Sequence, residues 1–320
     1  MKDRFGRSIE YMRISITDRC NLRCRYCMPD GIEKVDHARI ITYEDIVRIC
    51  EAAVHLGITK FKITGGEPLV RLGCSDLVKS IKTIPGTEQV TLTTNGVELA
   101  NNMDALMEAG LDAVNISLDT MDSEKYEYIT KIGSIDRVME GIDAAIASGI
   151  RTKINCVPQR GVNEDEIKDF VCFAFDRGID VRFIELMPIG RADSGTGISN
   201  NDIIEGLRGD FPGLTQDSNI HGNGPAVYYN IPGRKGSIGL ISAMHGVFCD
   251  SCNRIRLTSH GLIKPCLCYE QSIDIKPALA GDIMDIQEKL EEAIMAKPGQ
   301  HCFNNKPERT DRRSMSQIGG

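Results

Sequence analysis

Three cysteines within a span of eight residues constrain this chain more than any other feature of its sequence. They are Cys20, Cys24 and Cys27, with the spacing C-x3-C-x2-C. Thiolates this close together can converge on one metal centre, and sulfur ligands select zinc, Cu(I) or iron–sulfur clusters. A cluster of four irons normally takes four thiolates, so three would leave one iron open. An open position is typical of a catalytic metal site and not of a structural one.

A second set of cysteines begins 222 residues after the first ends and consists of Cys249, Cys252, Cys266 and Cys268. Zinc is an alternative, because the two C-x2-C pairs of the chain could form one zinc site. Zinc ribbons usually place their pairs about 15–20 residues apart, and such a site would leave Cys20 without a role. The neighbouring Arg254 and Arg256 would then form a surface charge patch. Both interpretations are open on spacing alone.

The composition indicates a globular protein. The chain has 320 residues, which is enough for about two domains. A net charge of −7 argues against general binding to nucleic acid or to a membrane surface. The N-terminus has no apolar signal core, and no apolar run is long enough to span a membrane. Twelve cysteines without an export signal predict reduced thiols in a cytoplasmic protein and no disulfide framework.

Short apolar runs alternate with longer helical segments between residues 12 and 186. The predicted strands are Met12–Ile16, Lys60–Thr64, Gln89–Thr93, Ala113–Leu118, Thr152–Val157 and Val181–Leu186. The predicted helices are Tyr43–Leu56, Ser75–Ile84, Met103–Ala109, Ile135–Ser148 and Glu164–Arg177. This alternation predicts an α/β fold in which helices cover a parallel sheet. Since six strands are two fewer than a closed barrel contains, we predict a partial (β/α)6 TIM-like barrel over residues 1–190.

The rest of the chain lacks that regularity. Residues 191–305 hold loop-rich stretches, the second cysteine set and a helical segment at 285–297. We assign them to a C-terminal domain without a seventh or eighth strand–helix pair. Residues 306–320 are polar and basic and end in Gly319-Gly320, which predicts a flexible tail.

One face of the predicted strands is polar. Side chains two residues apart share a face, and this face carries Arg13, Ser15, Lys60, Lys62, Thr91, Thr93, Asn115, Ser117, Lys153, Asn155 and Arg182. An antiparallel sheet with one wet side would show the same alternation. Crossover helices should instead cover the apolar face, so that the polar face lines the barrel. An interior with several Lys and Arg side chains predicts a polyphosphate ligand.

The carboxyl ends of the strands hold the chemistry in barrels of this kind. The cysteine triplet follows the first strand, and Thr64-Gly65-Gly66-Glu67-Pro68 follows the second. Its glycines allow backbone to approach a ligand closely. The third and fourth strands run into Thr93-Thr94-Asn95-Gly96 and Ser117-Leu118-Asp119. All these segments should share one rim with the cysteines.

These motifs resemble those of the radical S-adenosylmethionine enzymes. The triplet with Tyr26 and the Gly-Gly-Glu-Pro turn carry the general resemblance. Two further motifs are Cys249-x2-Cys252-Asn253-Arg254-Ile255-Arg256-Leu257 and the terminal Ile318-Gly319-Gly320. With them, the chain is similar to the GTP 3′,8-cyclase family of molybdenum cofactor biosynthesis, from Arg13 to the last residue.

The resemblance implies two [4Fe–4S] clusters. The first would bind Cys20, Cys24 and Cys27 and would hold S-adenosylmethionine, with contacts from Tyr26, Gly66, Ser117 and Met187. The second would bind Cys249, Cys252 and Cys266 and face the guanine, while Cys268 could replace or join Cys266. Cleavage of S-adenosylmethionine would give a 5′-deoxyadenosyl radical that takes hydrogen from C3′ of GTP, and C3′ would then attack C8.

The same resemblance implies the substrate residues and the partners. GTP would be held by Arg13, Lys62, Thr93, Lys153, Arg254 and Arg256, and the polar face adds Lys60 and Arg182. Gly319 and Gly320 would enter the active site. Expected partners are a flavodoxin- or ferredoxin-like electron donor and the cyclic pyranopterin monophosphate synthase that acts next, for a monomer or homodimer. The alternatives are another radical S-adenosylmethionine enzyme with an auxiliary cluster, for example a peptide-modifying one, and a non-catalytic zinc-binding protein.

Overall fold

The computed structural model describes residues 1–31, 39–190, 192, 194–245, 248–303, 311 and 313–318. Its strands are β1 (Tyr11–Ser15), β2 (Lys60–Thr64), β3 (Gln89–Thr94), β4 (Ala113–Ser117), β5 (Arg151–Cys156), β6 (Asp180–Ile184), β7 (Thr215–Asp217), β8 (Val227–Asn230), β9 (Ser237–Ile241), β10 (Arg254–Leu257), β11 (Leu262–Lys264) and β12 (Ile273–Asp274). Its α-helices are α1 (Tyr43–His55), α2 (Cys74–Lys82), α3 (Leu99–Glu108), α4 (Ser123–Thr130), α5 (Ile135–Ala147), α6 (Ile167–Arg177), α7 (Asn200–Asp210), α8 (Ile283–Met295) and α9 (Met315–Ile318).

The strands form one curved sheet in the order β12-β11-β10-β1-β2-β3-β4-β5-β6-β9-β8-β7. The eight central strands, from β10 to β9, pair in parallel, whereas the outer pairs on both sides are antiparallel. The predicted partial barrel is therefore confirmed, and its six strands β1 to β6 lie side by side in chain order.

Helix α1 illustrates how the outer layer forms. The Thr42 hydroxyl accepts a hydrogen bond from the Asp45 backbone N–H, and the Asp45 carboxylate accepts one from the Thr42 N–H. This reciprocal capping box satisfies two N–H groups that the first turn leaves free. Ile46, Ile49 and Ala53 recur on one side of the helix and are fully buried. The helix thus packs one apolar stripe on the outside of the barrel.

The apolar strand face meets these helices, as the alternation predicts. Met12, Ile14, Phe61 and Ile63 are all fully buried in one continuous apolar core. The alternate side chains of the same strands consequently point into the barrel. Burial of the apolar face is what fixes the polar face as the lining of the interior.

Two parallel strands join the sheet beyond residue 190, where we expected no further strand–helix pair. β9 pairs with β6 and β10 pairs with β1, so each covers one edge of the six-stranded core. Neither follows a regular βα repeat, which explains why the alternation did not indicate them. Helices α4 and α7 were likewise not predicted.

The sheet runs through both halves of the chain without a break at residue 190. The division into residues 1–190, 191–305 and a tail stays a prediction. No helix in the described part of the chain is long and apolar enough to cross a membrane.

Candidate active site

The first cysteine set lies at the carboxyl end of the parallel strands, on the predicted rim. Cys20, Cys24 and Cys27 all line one cavity, whose other walls come from the ends of β2, β3 and β4. These walls include Thr64, Gly65, Gly66, Thr93, Thr94, Asn95 and Ser117. The segments that the sequence analysis placed on one rim therefore meet around the three thiols.

The surroundings of the three thiols oppose their ionisation. Burial raises the pKa of Cys20 and Cys24, and it raises the pKa of Cys27 to about 12. The charges of Asp119, Cys27 and Cys20 add to the increase for Cys24, and those of Cys20 and Asp119 add to it for Cys27. A bound cation would reverse this, because coordination deprotonates a thiol outright. Three half-buried thiols facing one cavity fit a cluster that takes three protein ligands.

The Gly-Gly-Glu-Pro turn holds the cysteine segment in place. A Cβ atom on Gly66 would overlap with the carbonyl oxygen of Arg19, and one on Gly65 would lie 2.6 Å from the carbonyl oxygen of Thr17. The close approach that requires these glycines is thus to the chain's own cysteine segment. Position 66 tolerates no side chain.

Glu67 ties this turn to the next strand end. Its buried carboxylate accepts hydrogen bonds from the Leu69 N–H (3.0 Å), the Thr94 hydroxyl (2.7 Å) and the Asn95 N–H (2.6 Å). Burial raises the pKa of Glu67 to about 7, although these hydrogen bonds oppose the increase. The Asn95 side chain in turn donates to the Asn21 side-chain oxygen at 2.7 Å, beside Cys20.

The four residues expected to contact S-adenosylmethionine do not all lie together. Tyr26, Gly66 and Ser117 line the cysteine cavity. The Tyr26 hydroxyl donates a hydrogen bond of 2.6 Å to the buried carboxylate of Asp119. Met187 is not among the described lining residues and packs instead in a small apolar cluster with Ile189 and Cys302.

The C-terminal tail completes the same cavity. Met315 and Ser316 contribute to its lining, and a hydrogen bond from the Ser316 N–H to Cys27 partly offsets the raised pKa of that thiol. Upstream, the Asp311 carboxylate forms an ion pair with Lys264, and both side chains are buried. The predicted catalytic residues Gly319 and Gly320 lie outside the described residues.

The second cysteine set lies beside β10. Cys249, Cys252 and Cys266 are close enough for the charges of the latter two to affect the first. The backbone N–H of His301 donates to the Cys249 sulfur at 3.3 Å. Burial opposes ionisation of Cys252, yet the cations of Arg254 and Lys297 bring its pKa down to about 7. A thiolate held by nearby cations is a suitable cluster ligand.

Cys268, the possible extra ligand of the second cluster, is bonded to another cysteine. It forms a disulfide with Cys302, and the other ten cysteines are free. The prediction of uniformly reduced thiols is therefore wrong for this pair, whose members are 34 residues apart in the chain. Such a pairing of two buried residues depends on tertiary contacts and has no local sequence signal. In this state Cys266 has no competitor two residues away.

Within the described residues, no three His, Cys, Asp or Glu side chains stand close enough to hold a single metal ion. The first set follows β1 and the second begins before β10, so the two C-x2-C pairs lie at opposite ends of two neighbouring parallel strands. This separation favours two centres over the single zinc site that the spacing left open.

A second cavity lies inside the barrel, below the cysteine rim. It encloses about 690 Å³, part of it open to solvent. Its lining includes six cationic side chains, from Arg13, Lys62, Arg151, Lys153, Arg182 and Arg254. Thr93 lines both this cavity and the cysteine cavity, so the two adjoin.

Among these cations, Lys62 gives the clearest indication of what the cavity binds. Its side chain is 8% exposed, and its ammonium forms no ion pair or hydrogen bond with the residues that the structure describes. Burial lowers the pKa of Lys62 well below its usual value, and the nearby charges of Arg182 and Arg13 lower it further. A buried ammonium among like charges is unfavourable until an anion binds.

Two of the other cations, Lys153 and Arg182, have protein partners. Lys153 donates to the Asp180 carboxylate at 2.7 Å, to the Tyr228 hydroxyl at 3.0 Å and to the His221 carbonyl oxygen. The Arg182 Nε donates to the side-chain oxygen of Asn155 at 2.9 Å. These contacts hold both side chains in the cavity wall.

Two predicted substrate residues lie elsewhere. Lys60 pairs with the carboxylates of Glu10 (3.1 Å) and Glu88 (3.6 Å) at the start of β2 and does not line the cavity. Arg256 is half-buried near Arg13 and the second cysteine set. The sequence analysis in turn missed Arg151, Gln89 and residues 221–225, which all line the cavity.

Comparison with known proteins agrees with this architecture. Residues 14–174 match the Radical SAM superfamily, and residues 179–303 match the family described as Molybdenum Cofactor Synthesis C. The fold is similar to Streptococcus suis SuiB bound to S-adenosylmethionine, with a TM-score of 0.63 and 16% identity over 87% of this chain and 65% of that one. It is also similar to native anSMEcpe with bound AdoMet (TM-score 0.59, 16% identity, 92% and 82% covered). The chain is a radical S-adenosylmethionine protein.

The relatives define its place in that superfamily. GTP 3′,8-cyclases from Alkaliphilus oremlandii, Moorella thermoacetica and Clostridium perfringens are 47%, 44% and 42% identical to it, each over 100% of both chains. The chain belongs to the GTP 3′,8-cyclase family. The resemblance found in the sequence is confirmed, and with it the cofactors, S-adenosylmethionine and [4Fe–4S] clusters.

Proposed function

We propose that the chain converts GTP to (8S)-3′,8-cyclo-7,8-dihydroguanosine 5′-triphosphate, the first reaction of molybdenum cofactor biosynthesis. The observation that carries this is the buried Lys62 ammonium, which faces the barrel cavity among other cations and has no described counterion. A triphosphate supplies the missing negative charge. Family membership supports GTP as the nucleotide.

The two adjoining cavities would bind different molecules, S-adenosylmethionine in one and GTP in the other. Cys20, Cys24 and Cys27 would hold the first cluster, with S-adenosylmethionine beside Gly66 and Ser117. When bound, these groups supply the 5′-deoxyadenosyl radical that removes hydrogen from C3′ of GTP. Thr93 belongs to both walls and would lie near the ribose.

The remaining residues orient GTP. Arg13, Lys62, Lys153 and Arg182 line the cavity where the phosphates would bind. Arg254, next to Cys252, connects that cavity with the second cysteine set, which would hold the second cluster toward the guanine. Arg256 would act from the same strand. Lys60 would need to leave Glu10 and Glu88 before it could contact the nucleotide.

The partners belong to this proposal as well. Single electrons would come from a flavodoxin- or ferredoxin-like donor, and the product would pass to a cyclic pyranopterin monophosphate synthase. The protein would act as a monomer or homodimer.

An anaerobic turnover experiment tests the activity. The full chain, with its clusters reconstituted, is incubated with S-adenosylmethionine, a chemical reductant and GTP, ATP, CTP or UTP. We expect 5′-deoxyadenosine and a cyclised nucleotide from GTP alone. Deuterium placed at C3′ of GTP should be found in the 5′-deoxyadenosine, because that hydrogen is the one removed. Equal turnover of ATP, or 5′-deoxyadenosine without deuterium, would contradict the proposal.

A further inference from the structure

A glycine-containing segment closes the end of the barrel cavity opposite the cysteine rim. We call residues His221 to Pro225 the cap loop; it lies between β7 and β8 and lines the cavity. Gln89, Ala113 and Arg151 also line it, and these are the first residues of β3, β4 and β5. The cap loop therefore lies at the amino ends of the strands, whereas S-adenosylmethionine belongs at their carboxyl ends.

Two contacts fix the cap loop across this opening. On one side the His221 carbonyl oxygen accepts a hydrogen bond from the Lys153 ammonium. On the other side the Asn223 side chain donates to the side-chain oxygen of Gln89. Since these partners lie on β5 and β3, the loop spans the mouth of the cavity beneath the strand between them.

The ring of His221 strengthens the first contact. It is stacked on Tyr228 with ring centroids 4.0 Å apart, and its two nitrogens face the Asp180 and Asp217 carboxylates at 3.3 and 2.9 Å. Asp180 also binds Lys153 at 2.7 Å. The loop and Lys153 are thus positioned by one network, in which the Asp180 charge is already satisfied.

The backbone of the cap loop offers unused donors. The N–H groups of Gly222, Asn223 and Gly224 donate no hydrogen bond to any residue that the structure describes. Successive free N–H groups in a concave turn bind anions. A Cβ atom on Gly222 would lie 3.8 Å from the Lys153 Nζ, so a residue without a side chain leaves this ammonium accessible.

An independent observation in the same cavity also favours an anionic ligand. Lys62 is more than nine-tenths buried, lines the cavity with the cap loop and has no described counterion. The free N–H groups and the unpaired ammonium are complementary to the same ligand. A chain of phosphates that extends toward the amino ends of the strands would meet both groups.

We propose that the cap loop binds the terminal phosphate of the nucleoside triphosphate and so makes the protein select triphosphates over diphosphates. This inference rests on the proposed function, because it assigns a subsite to the same substrate. A diphosphate would end short of the loop and leave its N–H groups unpaired, which is the situation that gives strong discrimination.

Two variants test the cap loop. Gly222→Asp places a carboxylate beside Lys153 where the terminal phosphate would lie, and Asn223→Ala removes the contact with Gln89. Ser218→Asp is the matched control, since it adds the same charge at an exposed position of the same connection. Dissociation constants for GTP, GDP, GMP and inorganic triphosphate are measured by anaerobic calorimetry on the cluster-loaded full chain.

We expect the wild type and Ser218→Asp to bind GTP at least about tenfold more tightly than GDP, as for charge-assisted contacts to one phosphate. In Gly222→Asp that ratio should fall to near one, while GMP affinity changes little. Asn223→Ala should lower the ratio to an intermediate value. Visible absorption and thermal melting establish that each variant retains its clusters and its fold.

The outcomes separate this inference from the proposed function. If the folded variants keep the wild-type ratio of GDP to GTP affinity, the cap loop is not a phosphate site, whereas the proposed function stands. If the wild type binds inorganic triphosphate in a Gly222-dependent way but no guanine nucleotide, the loop assignment stands and the proposed substrate fails. Absence of both binding events overturns the two together.

Discussion

Lys62 shows how a single residue can be unfavourable for the free protein and necessary for its substrate. Its ammonium is buried beside Arg13 and Arg182 without a described carboxylate. Such a charge costs free energy on folding, because burial removes its water and its neighbours repel it. Bound polyphosphate reverses the sign of both contributions. Lys62 therefore lowers the stability of the nucleotide-free protein and favours binding of the substrate.

Replacing Lys62 separates these two effects. Lys62→Met should raise the melting temperature of the nucleotide-free protein, because the buried charge is gone. The same variant should weaken GTP binding by about 1.5–3 kcal/mol, the range for charge-assisted hydrogen bonds. Differential scanning fluorimetry and anaerobic calorimetry measure the two quantities, with the exposed Lys79→Met as control. Unchanged GTP affinity would remove Lys62 from the substrate site.

The polar face predicted Lys62 correctly as a cavity residue but did not distinguish it from Lys60. A period of two identifies the face of a strand and does not tell how far along the barrel axis a residue lies. Lys60 is the first residue of β2, where Glu10 and Glu88 reach it. Position along the strand depends on where the strand begins and on its neighbours, which a local pattern does not contain.

At the scale of whole elements, the tail is the clearest case of structure formed by long-range contacts. Its composition predicts flexibility, yet Asp311 is buried against Lys264 and α9 lies in the wall of the cysteine cavity. Ile318, the residue before Gly319, is fully buried. These contacts support the proposal that the two terminal glycines enter the active site.

Deletion of Gly319 and Gly320 should leave the clusters, the fold and GTP affinity nearly unchanged, because the anchoring contacts are upstream. Conversion of GTP should nevertheless collapse, even where S-adenosylmethionine is still cleaved, since two residues without side chains can enter a crowded site. Product analysis with and without the peptide Ser-Met-Ser-Gln-Ile-Gly-Gly measures this, and excess peptide should restore some turnover. Cyclisation at the full-length rate would mean that the tail plays no part.

Whether the sequence predicts one of the other elements depends on whether its signal is local or comes from distant partners. β1 to β6 were predicted because each is an apolar run followed by an amphipathic helix. β9 and β10 are not followed by such helices, and their partners β6 and β1 lie far away in the chain. The cap loop looked like an ordinary glycine-rich connection. Its role depends on Lys153 and Gln89, which only the folded sheet brings to it.

For the whole molecule, the two cysteine sets are held by one sheet. The first follows β1, and the second precedes β10, which is the parallel neighbour of β1. His260 and Ser259, just beyond β10, bind the buried Asp18 carboxylate beside the first set. One pair of neighbouring strands therefore holds the two sets at its opposite ends, with separate ligands.

Separate clusters predict a stepwise loss of iron. Anaerobically reconstituted wild type should contain about eight irons per chain, from two clusters of four. Replacing Cys20, Cys24 and Cys27 together by alanine should remove about half, and replacing Cys249, Cys252 and Cys266 should remove the other half. Chemical iron analysis with electron paramagnetic resonance of each variant measures this. A wild-type content near four, unaffected by the second replacement, would contradict two clusters.

The contribution of Met315 and Ser316 to the cysteine cavity has a consequence for the order of events during synthesis. Cys20, Cys24 and Cys27 leave the ribosome early, and β10 and β11, with Lys264, emerge much later. Met315 and Ser316, which complete the cavity wall, follow Cys27 by almost 290 residues. A nascent chain therefore exposes its first cysteine set until that later segment has been synthesised, and iron and sulfide can reach the thiols before Met315 and Ser316 occupy the space.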